Sequence, residues 1–331
     1  MPVLRIAYLL GGKLVSILPS PVGASAIGSR EPRQVRKEAA VSGSSVVWFV
    51  PPGTFFMLKY IHILLIITIA GCANMPSGNT LQPEKRPQPV FRSTNEDGST
   101  DIAFTAHRCG GGIAPENTCK AVLQSSFFIP DFYEIDVRHT SDNVPVCFHD
   151  ETLDRTTNLE GKISGTSLEE IKRADAGSWL DEEFSGTRAP TFEEIVDCTN
   201  PSPLMIEIKE AEITVEQIEY IVGILNTQMD ESSVIASFHK EVLDRWKSVE
   251  PDRRTIYITA EWSDDLVNMD ADAIALNYRA CNSDMIGRIQ ESGKALWVWT
   301  VNEDFLKFVE MGVDGIITDY PDRLRQALPK G

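Results

Sequence analysis

From Ile102 to the end the chain keeps one alternation. Short apolar or period-two runs read as strands: IAFTAH, FYEIDVR, VPVCFHD, LMIEIK, SVIASF, TIYIT, AIALN, LWVWTV and GIITD. Between most of them lie helical patterns such as NTCKAVLQSSFF, TVEQIEYIVGILNTQM and HKEVLDRWKSVE. Strands that alternate with helices pair in parallel, which is an α/β architecture. Nine strands are one more than a (β/α)8 barrel needs. The surplus has a place, because FYEIDVR and VPVCFHD are joined only by HTSDN, too short for a parallel crossover. The pair is therefore expected to form an antiparallel hairpin excursion, leaving eight strands for a TIM barrel. A small insertion, Glu151 to Pro190, follows the third strand and is expected to lie over the barrel's top, with one helix from Ser167 to Ala174. The alternative, an open doubly wound sheet, lacks a GxGxxG after its first strand.

The segment before this domain reads differently. In MLKYIHILLIITIAGCANM, Met57 to Met75, a lysine-bearing head precedes an apolar run from Ile61 to Ala70. That run is short for a bilayer span and suits the core of a signal peptide. Ile69-Ala70-Gly71-Cys72 resembles a bacterial lipobox, in which small residues precede a cysteine that becomes lipidated; an uncleaved anchor or a buried helix is the alternative. The expected organisation is an over-extended or unstructured segment over 1–56, a signal peptide over 57–71, a flexible tether over 72–100 and the folded domain over 101–331. Lipidation at Cys72 implies attachment to a membrane of the bacterial cell envelope. In a two-membrane host the Ala73 that follows, in place of Asp, favours the outer membrane.

Charge narrows the partners. The net charge of −17 argues against nucleic acid, since phosphate backbones select basic surfaces. Residues 1–71 carry seven Lys/Arg and two Asp/Glu, so removing that net +5 takes the chain from −17 to −22. An anionic substrate would then need local cations or a metal. The six cysteines show no CxxC pair and no zinc spacing, so neither a disulfide framework nor a zinc site is indicated.

Barrel chemistry gathers at the C-terminal ends of the strands. His107 and Arg108 end the first, Glu134 and Asp136 lie on the second, His149 and Asp150 end the hairpin return, and Glu207 and Lys209 end the LMIEIK strand. Glu134 and Asp136, two residues apart on a strand, point the same way. Two carboxylates aimed into a barrel repel and desolvate unless a cation lies between them. With Glu207 they make an oxygen-rich site suited to Ca2+ or Mg2+. The alternative is that they face solvent or pair with Arg108 and Lys209. His107 and His149 are candidates for an acid–base pair, since imidazole titrates near neutrality. Arg108 and Lys209 are candidates for holding an anionic group. His139, in the hairpin turn, and His239, starting a helix, are read as non-catalytic. Asn117 is read as a helix N-cap. The chemistry suggested is metal-assisted cleavage of a phosphodiester.

The motifs AHRCGGGIAPENT, YEIDVRHTSDNVPVCFHDETLDRTT, ADAGSWL, APTFEEIV, LMIEIK, VWTVN and GVDGIITDYP resemble, in order and spacing, the glycerophosphodiester phosphodiesterase family, over Phe104 to Asp322. The resemblance implies a barrel of the phosphatidylinositol-phospholipase-C-like kind. It implies hydrolysis of a small-molecule glycerophosphodiester to an alcohol and glycerol 3-phosphate with a divalent cation. It places the catalytic histidines on His107 and His149, the metal carboxylates on Glu134, Asp136 and Glu207, the phosphate-holding cations on Arg108 and Lys209, and a pocket-lining aromatic on Trp299. His107 is taken first as the base and His149 as the acid, with the reverse open. Water or the substrate's glycerol 2-hydroxyl is the nucleophile. Cys109 stands where the family usually has glycine, and Asn143 completes the usual Asp-Gly turn. Five cysteines remain beside Cys72, so at least one is unpaired within the chain; Cys109 and Cys147, near one rim, are candidates for a bridge. Two rival functions are a lyase acting on intact membrane lipids, with Trp179, Leu180 and Phe184 as an apolar lip, and a non-catalytic phosphodiester-binding lipoprotein.

Overall fold

The structure is a computed structural model that describes residues 6–10, 13–17, 91, 102–229 and 231–328. The expected signal peptide and most of the expected tether lie outside these residues, Cys72 included. In the N-terminal unit, β1 (Ile6–Leu10) pairs antiparallel with β2 (Lys13–Ile17), where the sequence shows no trusted strand period. The second unit runs from Arg86 to Gly331.

That second unit is a closed (β/α)8 barrel. Its strands are β3 (Ala103–Ala106), β4 (Phe132–His139), β6 (Leu204–Ile208), β7 (Val234–Ser237), β8 (Thr255–Thr259), β9 (Ala273–Asn277), β10 (Ala295–Trp299) and β11 (Gly315–Thr318). The order β3-β11-β10-β9-β8-β7-β6-β4 is closed by β3 pairing with β4, and all eight contacts are parallel. The surplus strand, β5 (Pro145–Cys147), pairs antiparallel with β4, as the five-residue connection requires. Asn143 turns that hairpin with φ 62°, a backbone region asparagine tolerates.

Eight α-helices lie among the described residues: α1 (Cys119–Ser125), α2 (Leu168–Ile171), α3 (Phe192–Thr199), α4 (Val215–Gln228), α5 (Lys240–Val249), α6 (Ser283–Glu291), α7 (Phe305–Met311) and α8 (Pro321–Ala327). Their starts are written locally. Ser167, Thr191 and Thr214 each form a capping box with Glu170, Glu194 and Gln217. The insertion helix α2 ends at Ile171, short of the expected Ser167–Ala174, and the Arg188 guanidinium donates to the carbonyls of Arg173 and Ala174 beyond it at 2.7 and 2.8 Å.

The core has two shells. Ile135, Val137, Ile206 and Ile208 face the helices and are fully buried. Ala103, Phe132, Met205, Val234, Ile256 and Trp297 fill the barrel interior. Period-two alternation thus places Glu134, Asp136 and Glu207 inside, above Phe132 and Met205.

The cysteines depart from expectation. Cys109 and Cys147 are both buried and free. The Cys109 thiol lies 3.8 Å from the Glu134 carbonyl, a weak contact. The bridge is Cys119–Cys198, which joins the start of α1 to the last turn of α3 across a Cα–Cα distance of 5.6 Å. Spacing gave no sign of it, because the pairing depends on how two helices 79 residues apart pack.

Candidate active site

Strand register builds the acidic cluster. β4 and β6 pair with Asp136 opposite Glu207, and Glu134 lies one inward step below. The three side chains are buried, and one oxygen from each lies within 4.8 Å of the others. Asp136 pairs with both nearby cations, Lys209 Nζ at 3.3 Å and Arg108 Nε at 3.6 Å. The solvent-facing alternative therefore fails, while the pairing alternative holds in part. Glu134 pairs with neither cation and instead accepts the Arg108 backbone N–H at 2.6 Å. Lys209 Nζ also sits 2.6 Å from Glu207 Oε1. Glu134 Oε1 and Asp136 Oδ1 are left without a hydrogen-bond donor. Buried oxygens left so are costly, about 1–3 kcal/mol each. All-oxygen donors aimed at one point fit a hard divalent cation.

The electrostatics agree. Burial, then the Asp136 charge, pushes Glu134 up to about 8. Burial would raise Asp136 too, but Lys209 and Arg108 outweigh it and hold that carboxyl down to about 2. Burial and Asp136 likewise raise Glu207. Two of the three acids therefore resist ionising without a further positive charge.

An imidazole stands on each flank. His107 follows β3 in a tight turn in which Arg108, Cys109 and Gly110 take φ 50°, 63° and 99°. Cys109 thus adopts the left-handed conformation itself where glycine is usual, at a cost of roughly 1–2 kcal/mol. Any side chain at Gly110 would be strained, since φ is 99° and a Cβ there would sit 2.1 Å from Ser125 Oγ. His107 Nδ1 lies 2.6 Å from Asp319 Oδ1, and its Nε2 lies 3.9 Å from Glu134. With a carboxylate accepting, the proton sits on Nδ1 and Nε2 faces the acids. His149 ends the hairpin return with Nδ1 2.8 Å from Asp150. Burial disfavours protonation of both rings. At His107 the charges of Glu134 and Asp319 prevail and raise its pKa, whereas at His149 burial prevails and lowers it.

Several partners escaped the sequence reading. Asp319 ends the last strand run, in plain view in GIITD, and is held by the Asn302 amide at 2.7 Å. Arg155, from the insertion, bridges Asp150 at 2.6 Å and Glu116 at 2.7 Å, and Glu116 in turn accepts from Arg108 at 3.1 Å. Asn117 is not the N-cap of α1; Thr118 is, accepting from the Ala121 N–H at 3.2 Å. Asn117 instead turns inward with φ 58° and binds Asp136. His139 is the last residue of β4 rather than part of the turn, and its backbone N–H donates to Glu210 at 2.7 Å, away from the cluster. His239 is the N-cap residue of α5 and makes no side-chain cap.

Trp299 ends β10 with its indole N–H donating to the Ala275 carbonyl at 3.0 Å. Its ring meets Phe238 edge-on at 5.5 Å. It lines a cavity of about 480 Å3 at the mouth with Tyr278, Asn302 and Tyr320, beside Asp319's anchor. The expected apolar lip does not form. Phe184 is buried, the Trp179 indole N–H donates to the Ala176 carbonyl, and among the three only Leu180 is exposed.

Fold and site together define a TIM-barrel enzyme whose mouth sets buried carboxylates, two cations and two imidazoles around one point. The chain belongs to the glycerophosphoryl diester phosphodiesterase family, whose profile matches residues 107–323. YhdW of Bacillus subtilis is 36% identical over 229 residues, covering 66% of this chain and 94% of the relative. The glycerophosphodiester phosphodiesterase of Caldanaerobacter subterraneus is 34% identical over 237 residues, covering 68% and 97%. Among solved structures, an Oleispira antarctica phosphodiesterase in complex with the product sn-glycerol-3-phosphate superposes with a TM-score of 0.62 at 27% identity, over 67% of this chain and 95% of that one.

Proposed function

We propose that the chain is a lipid-anchored envelope enzyme that hydrolyses glycerophosphodiesters to an alcohol and sn-glycerol 3-phosphate. The observation that carries the mechanism is the gathering of Glu134, Asp136 and Glu207 between His107 and His149. Glu134, Asp136 and Glu207 would hold one Ca2+ or Mg2+. When bound, the cation polarises the phosphoryl oxygens and offsets substrate charge.

The chain's own groups do the rest. Arg108 and Lys209, which pair with Asp136, are the cations that would hold the non-bridging oxygens. Trp299 lines the pocket. One imidazole takes the proton of the attacking oxygen, from water or the glycerol 2-hydroxyl, as that oxygen bonds to phosphorus. The phosphorus–oxygen bond to the alcohol breaks and the other imidazole gives that oxygen a proton; where the 2-hydroxyl attacks, water then opens the cyclic phosphate to glycerol 3-phosphate. Asp319 and Asp150 fix which ring nitrogen faces the substrate. The charges of Glu134 and Asp319 raise the proton affinity of His107, whereas burial lowers that of His149. That ordering favours His149 as base and His107 as acid, the reverse of the first assignment.

Anchoring through Cys72 gains support from the Cys119–Cys198 disulfide, because such bonds persist in oxidising compartments. The lipid-lyase alternative loses support with the buried Phe184. The direct test is turnover of glycerophosphocholine with and without chelator, products followed by phosphorus NMR. Chelator-sensitive release of glycerol 3-phosphate is expected; a cyclic phosphate appearing first identifies the glycerol 2-hydroxyl as nucleophile. Turnover of sphingomyelin or phosphatidylinositol alone would contradict the proposal.

A further inference from the structure

The end of the barrel opposite the active site carries three features that the proposed reaction does not use. The first is where the chain enters. Phe91 packs against Trp297 with ring centroids 5.5 Å apart and lies beneath the Arg254 guanidinium at 4.4 Å. Its carbonyl accepts the Trp297 indole N–H at 3.1 Å. Trp297 also meets Phe132, the first residue of β4, at 5.4 Å, and Arg254 immediately precedes β8. Phe91 therefore closes the barrel at the N-terminal ends of its strands. Cys72 stands 19 residues earlier in the sequence.

The second is an apolar patch at that same end. The turn between α1 and β4 exposes Phe127 by 74% and Ile129 by 63%, and Leu123, one helical turn before Phe127, by 57%. These are the three most exposed large hydrophobic side chains among the described residues. The turn leads into Asp131, whose carboxylate accepts the Phe104 N–H near the start of β3 at 2.9 Å, which fixes it to the strands' N-terminal ends.

The third is how that turn is held. Ile129 takes φ 52°, a region that β-branched residues avoid. The Arg325 guanidinium clamps it, donating to the carbonyls of Phe128 and Ile129 at 2.8 Å each. A strained backbone that pushes isoleucine and phenylalanine into water is built for something other than the core.

We propose that this face, centred on Phe127 and Ile129, rests on the lipid surface to which Cys72 anchors the chain, so that the active-site mouth opens away from the membrane. The inference rests on the anchoring proposed above. Nineteen residues reach at most about 65 Å, and they start from the face that carries the patch. An interfacial contact of this kind is apolar, so it is insensitive to salt, in keeping with an acidic protein. It also assigns the substrate pool: the mouth meets soluble glycerophosphodiesters, and lipids of the same membrane stay out of reach.

The test uses the full lipidated chain in phosphatidylcholine vesicles whose acyl chains carry bromine, a short-range quencher of tryptophan. Phe127→Trp adds emission at the proposed face, and Leu180→Trp adds it at the mouth. The expected result is that the Phe127→Trp increment falls by about half or more relative to unbrominated vesicles, while the Leu180→Trp increment does not. High salt should leave this unchanged. Quenching at the mouth, or at neither site, overturns the proposal. So does a dimer in solution that Phe127→Glu dissolves, which would make the patch a contact between copies. Cys72→Ala is scored separately: a variant that stays on the membrane like the parent refutes the anchor, while quenching still reports on the face.

Discussion

Asn117 grips Asp136 at both ends. Its amide donates to Asp136 Oδ2 at 2.8 Å, and its carbonyl oxygen accepts the Asp136 backbone N–H at 3.1 Å. The bond pair fixes the carboxylate's rotamer and leaves Oδ1 for the centre of the cluster. Partners of this kind orient metal ligands, and their loss typically costs 10–100-fold in affinity. Asn117→Ala is therefore expected to raise the Ca2+ or Mg2+ concentration needed for half-maximal turnover by about 10-fold or more. Saturating cation should restore much of kcat. An unchanged cation requirement would reduce Asn117 to a structural role.

Asp319 raises the affinity of His107 for its proton. Asp319→Asn removes that charge, so the pKa of His107 must fall. The limb of the kcat/KM pH profile that His107 governs is expected to move to lower pH, with activity reduced on the order of 100-fold. Movement of the alkaline limb identifies His107 as the acid; movement of the acidic limb identifies it as the base. A profile that keeps both limbs in place would remove His107 from proton transfer.

The barrel was legible because strand and helix periods alternate over most of the domain, and the antiparallel β5 because five residues cannot make a crossover. Glu134, Asp136, Glu207, His107 and His149 could be read from strand ends alone. Asn117, Glu116 and Arg155 could not, since each reaches its partner through a loop whose path no local pattern encodes. Asn117 looked like a cap because it precedes a helix by two residues, yet Thr118 took that task and released it. Ile129 carries no signal in one dimension; only its backbone and exposure reveal it.

Glu134 makes stability depend on pH. Its folded pKa near 8 stands above its ordinary 4.5. Between these values the folded state holds a proton the unfolded chain has lost, so stability falls as pH rises across that window. Thermal unfolding of the cation-free protein is expected to show Tm dropping from pH 5 to pH 8. Glu134→Gln should flatten the slope. A cation at 100 times its Kd adds about 2.7 kcal/mol, which raises Tm by roughly 5–10 °C. A cation-free Tm that climbs over this range would contradict the burial described for Glu134.

The Cys119–Cys198 bridge closes a loop of 79 residues. Bridges over loops of this length contribute about 2–4 kcal/mol. Reduction, or Cys119→Ser with Cys198→Ser, is expected to lower Tm by roughly 5–15 °C while Cys109 and Cys147 stay unreactive in the folded protein, because burial holds both thiols well above the usual range. Thiol labelling before and after denaturation counts them. Labelling of Cys119 in the oxidised native protein would exclude the bridge.

One divalent ion is expected to join Glu134, Asp136 and Glu207 at the mouth of the barrel. Calorimetric titration of Ca2+ and Mg2+ into chelator-stripped protein, run beside turnover of the same samples, tests it most directly. One ion per chain is expected, with activity rising in step and both lost in Glu207→Gln. Full turnover in chelator, or undiminished ion binding in Glu207→Gln, would contradict it.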